Sequence, residues 1–466
     1  MNMSMEYQFP PGFWWGSAIS ATQTEGASHE DGKGLNIWDY WYEQEPNRFF
    51  DGVGPEKTSD FYHRYKEDIQ LMKEIGHNSF RMSISWSRLI PGGVGSVNAK
   101  AVDFYNCVID ELIANGIKPF VNLFHFDMPL EMQNIGGWEN REVIDAYAEY
   151  AKICFETFGD RVKKWFTFNE PIVPVEGGYL YDSHYPNVVD FRRAVQVAYH
   201  TVVAHAKAVE IFRQIDIKDS EIGIILNLTP SYPRSMHPAD VQAANIADLF
   251  FNRSFLDPAV KGGYPAELVA LLKAHGYLPV MEKGDLALIR ENTVDLLGVN
   301  YYQPRRVKAK ESMPNPYAPF MPERFFDDYA MPGRKMNPHR GWEIYEKGIY
   351  DLLINLKENY GNIPCFISEN GMGVEDEEKF RNPEGMIEDD YRIDFIREHL
   401  IWVHKAISEG VNVKGYHMWT FMDNWSWTNA YKNRYGFVSV NLDKNCERTV
   451  KKSGYWFKQV AKNNGF

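Results

Sequence analysis

Eight short apolar runs, separated by longer stretches that mostly have helical spacing, constrain the fold of this chain more than any other feature. The predicted strands are residues 13–18, 79–84, 118–124, 164–168, 221–228, 294–301, 364–368 and 413–421. Strands that alternate with helices favour a parallel sheet, because each helix carries the chain back to the edge where the next strand begins. Eight such repeats predict a closed (β/α)8 barrel of the α/β class.

The stretches between these strands carry apolar residues at three- and four-residue steps, which is the pattern of a helix with one buried face. The predicted helices are residues 61–75, 98–115, 142–158, 191–214, 344–360 and 389–409. Residues 303–342 break the pattern, and a loop this long is typically functional. We therefore expect a TIM barrel with elongated βα loops, in which residues 303–342 are a candidate lid. The 466 residues, of which 44% are hydrophobic, are expected to form a single domain over 1–466.

Charge and hydropathy argue against two classes of partner. The net charge of -13 argues against nucleic acid, which proteins bind through clustered Lys and Arg. No segment approaches the length of uninterrupted apolar sequence that a membrane span needs, and the first ten residues show no signal peptide. We therefore expect a cytoplasmic protein with no membrane partner.

The residue types that bind metals are scattered along the chain. The four cysteines, which we expect to be reduced thiols, are Cys107, Cys154, Cys365 and Cys446. They lack the spacing of a zinc site. His200 and His205 are five residues apart on a predicted helix, so they do not share a face as an i, i+4 pair would. We predict no metal and no other cofactor.

Two glutamates follow predicted strands, where the strands break at Pro or Gly. Glu170 lies in Thr-Phe-Asn-Glu-Pro at 167–171, and Glu369 lies in Ile-Ser-Glu-Asn-Gly at 367–371. In a barrel of parallel strands, catalytic groups lie at the carboxyl ends of the strands. Hydrolysis of a glycosidic bond needs two carboxyl groups, one to protonate the leaving oxygen and one to stabilise or capture the oxocarbenium-like centre. For either glutamate alone, an ordinary surface role would be the better interpretation.

In this order and with this separation, the two strings resemble the acid/base and nucleophile segments of the family 1 glycoside hydrolases. Further strings similar to that family's follow in its order at residues 13–18, 21–26, 80–86, 123–129, 298–302 and 419–424. The resemblance covers essentially the whole chain. It implies a retaining glycosidase that forms a covalent intermediate and needs no metal.

The same resemblance implies roles for single residues. Glu170 would be the general acid and then the general base, and Glu369 would be the nucleophile. Arg81, Asn300 and Tyr302 match positions that support the nucleophile; a cation and a phenolic hydroxyl both favour a charged carboxylate. The positions that match sugar-binding residues are Gln23, His125, Asn169, Trp342, Trp419 and Trp427. Without the flanking strings, the histidine at 125 would be interpreted as a core residue and the tryptophan at 419 as barrel filling.

The loop at residues 423–436 bears on the substrate. Ser426 stands where β-glucosidases of the family usually carry a glutamate that binds the 4- and 6-hydroxyls of the sugar. A carboxylate there would repel a 6-phosphate by roughly 4 kcal/mol at about 4 Å with an effective dielectric near 20. Serine removes that repulsion, and Tyr435 adds a second hydroxyl. The loop is therefore similar to the phosphate-binding loop of the 6-phospho-β-glycosidases.

The match to a phosphate loop is incomplete at one position. The phospho-glycosidases usually carry lysine where this chain has Asn433, which can donate a hydrogen bond but brings no charge. Lys432 is the adjacent cation. It is explained equally well as part of an ordinary solvated basic loop. The basic run at residues 305–310 is a second source of positive potential for an anionic substrate.

We therefore expect hydrolysis of phosphorylated disaccharides or aryl glycosides, either 6-phospho-β-glucosides, 6-phospho-β-galactosides or both. Trp427 leaves the epimer open, because many phospho-glucosidases carry a small residue there and phospho-galactosidases keep Trp. The main alternative is a β-glucosidase or β-galactosidase of neutral sugars, which would need another group to bind the 6-hydroxyl. A carbohydrate-binding pseudoenzyme is disfavoured because both glutamates are present. Aglycone, linkage and oligomeric state stay open, and a homo-oligomer is one possibility.

Overall fold

The computed structural model describes residues 6–466, and a closed barrel of eight parallel strands lies at its centre. The strands are β1 (Trp14–Ala18), β2 (Ser79–Ser83), β3 (Lys118–Asn122), β4 (Lys164–Asn169), β5 (Glu221–Asn227), β6 (Leu296–Asn300), β7 (Cys365–Glu369) and β8 (Val413–Trp419). Each strand pairs with its neighbours in chain order, and β1 closes the barrel on β8 with Trp14 opposite Gly415. The predicted (β/α)8 TIM barrel is therefore confirmed.

A cluster of large apolar side chains fills the barrel interior. Its buried members, one from each of five strands, are Phe120, Phe166, Ile225, Leu296 and Phe366. Successive side chains on a strand point to opposite faces, so these residues point inward while their neighbours pack against the surrounding helices. Gly223 on β5 lacks the Cβ that would stand 2.9 Å from the ring of Phe166. The packed interior closes the barrel below the carboxyl ends of the strands.

The helices predicted between the strands are all present. Their bounds are Phe61–Glu74, Ala99–Ala114, Glu142–Phe158, Phe191–Ile215, Lys347–Asn359 and Asp390–Ser408. Two of them begin at a side chain that accepts hydrogen bonds from the first turn: Asn98 accepts from the backbone N–H of Lys100, and Asp190 accepts from those of Arg192 and Arg193. Such caps satisfy N–H groups that have no partner inside the helix.

The connection between β5 and β6 contains helices that the sequence pattern did not predict. They are Pro238–Asp248, Ser254–Lys261, Ala266–Ala274 and Asp285–Glu291, and a helix at Lys452–Asn463 follows the barrel. The first four are short, and one of them contains Pro258, so none gives a sustained helical period.

The segment 303–342 is more regular than its composition predicted. Arg305–Ala309 pairs with Ser231–Pro233 on one side and with Phe326–Asp328 on the other. Further along, Met336–Asn337 pairs with Trp342–Glu343. We call residues 336–343 the tip hairpin. The pairing satisfies backbone groups that a coil would leave to water.

All four cysteines are free, with Cys107 exposed and the others buried. Within residues 6–466, no helix combines the length and the apolar composition that crossing a membrane requires.

Candidate active site

Glu170 immediately follows β4, at the carboxyl end of the barrel. The pairing of β4 with β5 shifts register between Phe166 and Asn169, which re-aims the end of the strand. Glu170 then adopts a left-handed backbone conformation, with φ of 45°, and its N–H donates to the carbonyl of Ile225 at 2.8 Å. A non-glycine residue in this region is strained by about 1 to 3 kcal/mol and is held there by its surroundings. The result is a carboxyl group that is 8% exposed and turned into the barrel mouth.

Glu369 is the last residue of β7 and is 4% exposed. The pairing of β7 with β6 also shifts register, between Ile367 and Glu369. One carboxyl oxygen accepts a hydrogen bond from the guanidinium of Arg81, and the other accepts from the hydroxyl of Tyr302 at 2.5 Å. Both contacts stabilise a negative charge on Glu369. The structure thus brings Arg81 and Tyr302 to the glutamate that the sequence assigned to them.

A chain of hydrogen bonds connects the two carboxyl groups. Arg81 donates to the Oδ1 of Asn169 at 2.6 Å, in addition to its bond to Glu369. Asn300 donates to the same oxygen at 3.1 Å and to Oε1 of Glu170 at 2.7 Å. The sequence assigned Asn300 to the nucleophile, but its amide reaches Glu170 instead. Asn300 ends β6 between Asn227 of β5 and Glu369 of β7, and its side-chain amide is directed to Asn169 and Glu170.

The environment of Glu170 favours its protonated form. Burial, followed by the charge of Glu369, raises the pKa of Glu170 to about 8, against the opposing effects of Asn300 and Arg81. A buried carboxyl group beside a carboxylate keeps its proton at neutral pH. The site therefore pairs a protonated carboxyl group with a charged one, which is the division of labour that an acid and a nucleophile require.

His125 lies beside this network. Its Nε2 is 3.2 Å from the amide nitrogen of Asn169, so the ring accepts this hydrogen bond and carries its proton on Nδ1. Burial, with a contribution from the charge of Arg81, holds the pKa of His125 well below its usual value. The Nδ1–H is buried and has no partner among residues 6–466. A neutral imidazole with one unused donor suits a hydroxyl of a ligand.

Gln23, Trp419 and Trp427 surround the same opening. The amide of Gln23 is buried, and it accepts from Ser20 at 2.7 Å and donates to the carbonyl of Trp425 at 3.0 Å. The ring of Trp419 lies 6.0 Å from that of His125 with an interplanar angle of 19°. The ring of Trp427 lies 6.1 Å from the same histidine, with an interplanar angle of 25°, and 4.4 Å from Trp38. The rings of Trp419, His125 and Trp427 together form an aromatic wall beside the carboxyl groups.

The loop at residues 423–436 brings Ser426 and Tyr435 together. Burial raises the pKa of Tyr435, and the charge of Arg340, with hydrogen bonds from Arg340 and Ser426, works in the opposite direction. The ring of Tyr435 packs on Gly373, where a Cβ would stand 2.4 Å from the ring carbon that bears the hydroxyl. Ser426 and Tyr435 are both buried, so their hydroxyls are largely shielded from bulk water.

The same loop does not bring Lys432 to these hydroxyls. The ammonium of Lys432 is 3.4 Å from Glu375, and its side chain is 40% exposed. It lines a separate surface cleft of about 330 Å³ together with Asp376 and Glu378. Asn433 is buried and donates at 3.2 Å to the carbonyl of His339, in the tip hairpin. Of the four residues predicted to bind phosphate, the structure therefore places Ser426, Asn433 and Tyr435 on one side of the loop and Lys432 on the other.

A buried ion cluster fastens the base of this loop. Lys451 donates to Asp423 at 2.7 Å and also to Glu377. Arg392 donates to Glu377 at 2.5 Å, and the backbone N–H of Gly436 donates to Asp423 at 2.9 Å. The two ends of the loop are thus tied to one another through Asp423. The sequence pattern gave no indication of this cluster, because its members lie far apart in the chain.

The tip hairpin brings two residues to the site. Trp342 is half-buried, with its ring 5.5 Å from that of Tyr302. Arg340 stacks on Trp342, with the guanidinium carbon 4.4 Å from the ring centre. The sequence pattern indicated Trp342 but not Arg340. The only indication was its position in a segment rich in basic and aromatic residues.

His200 and His205 form hydrogen bonds with different partners. Nδ1 of His200 lies 2.9 Å from the carbonyl of Trp138, and Nδ1 of His205 lies 2.7 Å from the hydroxyl of Thr167. Within residues 6–466, no group of three or more His, Cys, Asp or Glu side chains is arranged as a metal site.

Similarity to known proteins extends along essentially the whole chain. The family model of glycosyl hydrolase family 1 matches residues 5–466. A relative named 6-phospho-beta-glucosidase GmuD, from Bacillus subtilis, is 73% identical over 466 residues, which is 100% of both chains. A 6-phospho-beta-galactosidase from Clostridium acetobutylicum is 40% identical over 97% of both. The solved structure of a family 1 β-glucosidase from Thermotoga maritima, 38% identical, covers 99% of each chain with a TM-score of 0.90. This chain belongs to glycosyl hydrolase family 1.

Proposed function

We propose that this protein is a retaining 6-phospho-β-glucosidase that uses Glu170 as acid and base and Glu369 as nucleophile. The buried pair of one protonated and one charged carboxyl group carries the assignment of hydrolysis. The pair of hydroxyls at Ser426 and Tyr435, with no carboxylate hydrogen-bonded to either among residues 6–466, supports a 6-phosphate on the sugar. The 73% identical relative, itself named a 6-phospho-beta-glucosidase, supports the same substrate class.

The first step cleaves the glycosidic bond. Glu170 donates its proton to the glycosidic oxygen while a carboxylate oxygen of Glu369 attacks the anomeric carbon. The bond between that carbon and the glycosidic oxygen breaks, its electron pair stays on the oxygen, and the aglycone leaves as a neutral alcohol. Arg81 and Tyr302 hold Glu369 in place for the attack. The product of this step is a glycosyl ester of Glu369.

The second step hydrolyses the ester. Esterification removes the negative charge of Glu369, which is the main electrostatic cause of the raised pKa of Glu170. The pKa of Glu170 therefore falls, and the residue becomes a base. It takes a proton from a water molecule whose oxygen attacks the anomeric carbon and displaces the carboxylate of Glu369. Two inversions leave the sugar with its β configuration.

The groups around Glu170 and Glu369 are suited to binding the sugar. The unused Nδ1–H of His125 and the amides of Gln23 and Asn169 suit hydroxyl groups, and Trp419 offers an aromatic face to the sugar ring. Trp342, at the barrel mouth beside Tyr302, suits the aglycone. Ser426 and Tyr435 suit the phosphate oxygens.

6-Phospho-β-galactosides are a second candidate substrate class. Trp427 is the supporting observation, because its bulk is held against Trp38 and His125 as a fixed wall. A 40% identical relative is named a 6-phospho-beta-galactosidase. We further propose that residues 1–466 act as one catalytic domain and that the reaction takes place in the cytoplasm, where phosphorylated sugars are retained by their charge.

The substrate class is tested with four chromogenic substrates. We expect kcat/KM for 4-nitrophenyl β-glucoside 6-phosphate to exceed that for the neutral glucoside by about 100-fold or more, which is about 2.7 kcal/mol of discrimination. The galactoside pair, measured in parallel, gives the epimer. Ser426→Glu should abolish the preference by charge repulsion, whereas Ser426→Ala, which removes only the hydroxyl, should reduce it. Equal or faster turnover of the neutral sugars by the wild type would overturn the phosphorylated substrate and leave the two-glutamate mechanism standing.

A further inference from the structure

The proposed phosphate site needs a cation, and the obvious candidates are engaged elsewhere. Lys432 pairs with Glu375 on the far side of the loop. Arg434 lies 3.7 Å from Asp423 and donates to the carbonyl of Val440 at 3.1 Å. Arg81 is committed to Glu369 and Asn169. None of these side chains has its charge free for a phosphate beside Ser426.

The basic run at residues 305–310 is neutralised as well. Arg305 pairs with Glu176 at 3.2 Å, and Arg306 with Glu343 at 2.6 Å. Lys308 and Lys310 pair at 2.5 Å with Glu311 and Asp327, respectively. These contacts tie together the small sheet that contains the run. They leave no uncompensated positive charge for a substrate.

Arg340 differs from all of these cations. Its guanidinium forms no ion pair with any carboxylate of residues 6–466, and its Nε–H is buried without a hydrogen-bond partner. The face of the guanidinium stacks on Trp342, with 4.4 Å between the guanidinium carbon and the centre of the ring. A guanidinium stacked by its face still presents its N–H edge, and that edge is the part that binds phosphate oxygens.

The position of Arg340 is fixed from two sides. Asn337 donates at 3.0 Å to the carbonyl of Gly373, in the segment that follows Glu369, and anchors the first strand of the tip hairpin there. Asn433 donates at 3.2 Å to the carbonyl of His339, the residue before Arg340. The hairpin tip is thus drawn against the loop at 423–436. Gly373 also packs on the ring of Tyr435, so Arg340 lies near the tyrosine hydroxyl, whose pKa its charge lowers.

We propose that Arg340 is the cation that binds the 6-phosphate of the substrate, with Asn433 acting as the positioning residue that fastens the hairpin carrying it. The proposal rests on the proposed function and adds a specificity-determining residue to it. The charge that a lysine at position 433 would bring from the loop is supplied from the opposite side of the site. The side-chain amide of Asn433 instead holds the tip hairpin, and with it Arg340, against the loop at 423–436.

The test is the ratio of kcat/KM for 4-nitrophenyl β-glucoside 6-phosphate to that for the neutral glucoside. In Arg340→Gln this ratio should fall by about 10- to 100-fold, the effect of losing hydrogen bonds to a charged group, and most of the fall should appear in KM. The inhibition constant of glucose 6-phosphate should rise by a similar factor. Arg340→Lys, which keeps the charge but loses the planar fork, should retain a larger ratio than Arg340→Gln. Lys432→Gln is the matched control and should change the ratio by less than about 3-fold.

The outcomes separate this inference from the function on which it rests. A wild type with no preference for the phosphorylated glucoside would remove the proposed function itself. A wild type with the preference, together with an Arg340→Gln variant that keeps it, would overturn only the role of Arg340. Equal losses on both substrates would also overturn it, because they would mean that the side chain maintains shape rather than binding phosphate. Loss of the ratio in Lys432→Gln would assign the phosphate to the other cation.

Discussion

The side-chain amide of Asn300 donates a hydrogen bond to the carboxyl group of Glu170, with 2.7 Å between the nitrogen and Oε1. A donor beside a carboxyl group favours its charged form, so this contact lowers a pKa that burial and Glu369 raise to about 8. Glu170 therefore carries its proton below about pH 8 and loses it above. As the proposed general acid, it should make kcat/KM fall as the pH rises through about 8.

Removing that donor should extend activity to higher pH. In Asn300→Ala the carboxylate form of Glu170 loses its hydrogen bond, which is worth about 0.5 to 1.5 kcal/mol. The alkaline limb of kcat/KM should therefore move up by roughly 0.5 to 1 pH unit. The measurement is kcat/KM from pH 5 to 10; the substrate phosphate titrates near pH 6 and so affects only the acid limb.

Glu170→Gln serves as the control for that profile. The variant cannot donate a proton, so its rate should fall by about 10²- to 10⁴-fold and its alkaline limb should disappear. An unchanged or lowered alkaline pKa in Asn300→Ala would contradict the assigned role of the hydrogen bond. A limb that persists in Glu170→Gln would mean that another group sets it.

The ion cluster under the loop should make stability depend on pH in the acid range. Burial alone would raise the pKa of Glu377, but Arg392 and Lys451 outweigh it and hold this pKa at about 2, below the ordinary value of 4.5. A lowered pKa contributes stability that is present above the unfolded value and is lost as the pH falls from about 4.5 towards 2. Wild-type urea midpoints should therefore fall steeply between pH 5 and 3.

Glu377→Gln should weaken this pH dependence and lower the free energy of unfolding at pH 7 by about 3 kcal/mol, because it leaves two buried cations without their partner. Glu378→Gln is the matched control, since that neighbouring glutamate pairs with Arg381 while its side chain is 68% exposed. It should cost less than about 1 kcal/mol. Equal effects of the two substitutions would mean that the buried cluster contributes no more than a surface pair.

The link between Asn433 and the tip hairpin should be visible as coupling between two substitutions. Asn433→Ala removes the bond to His339, so it should lower the preference for the phosphorylated glucoside by about 3- to 10-fold. In an Arg340→Gln background, where the hairpin no longer carries the cation, the same change should have little further effect. A double-mutant cycle on kcat/KM measures this coupling. Additive losses would show that Asn433 acts on the substrate independently of Arg340.

Most of the fold could be predicted because each strand and its helix have their own local periodicity. The strand at residues 79–84 and the helix at 61–75 each differ from the observed Ser79–Ser83 and Phe61–Glu74 by one residue. The helices between β5 and β6 were missed because they are too short to show a period. The strands within 303–342 were missed because their pairing depends on Ser231–Pro233, far away in sequence.

Only those site residues that stand in short, recognisable sequence motifs could be predicted. Glu170, Glu369 and Ser426 stand in recognisable strings, and the structure gives them surroundings that fit the roles proposed for them. Arg340 and the ion pairs of Glu377 stand in no such string, because their partners come from distant loops. The side of the loop that Lys432 occupies depends on Glu375, which no pattern near residue 432 indicates.

The contact between Gly373 and the ring of Tyr435 also restricts which substitutions the two loops that carry these residues can accept. Residue 373 follows the nucleophile on one loop, whereas Tyr435 belongs to another, and a single methyl group at 373 would overlap the ring. Residue 373 cannot become larger unless residue 435 becomes smaller. Substitutions of Gly373 are therefore disfavoured for as long as Tyr435 is kept, whereas Ser426 takes no part in this contact and can be exchanged without disturbing it.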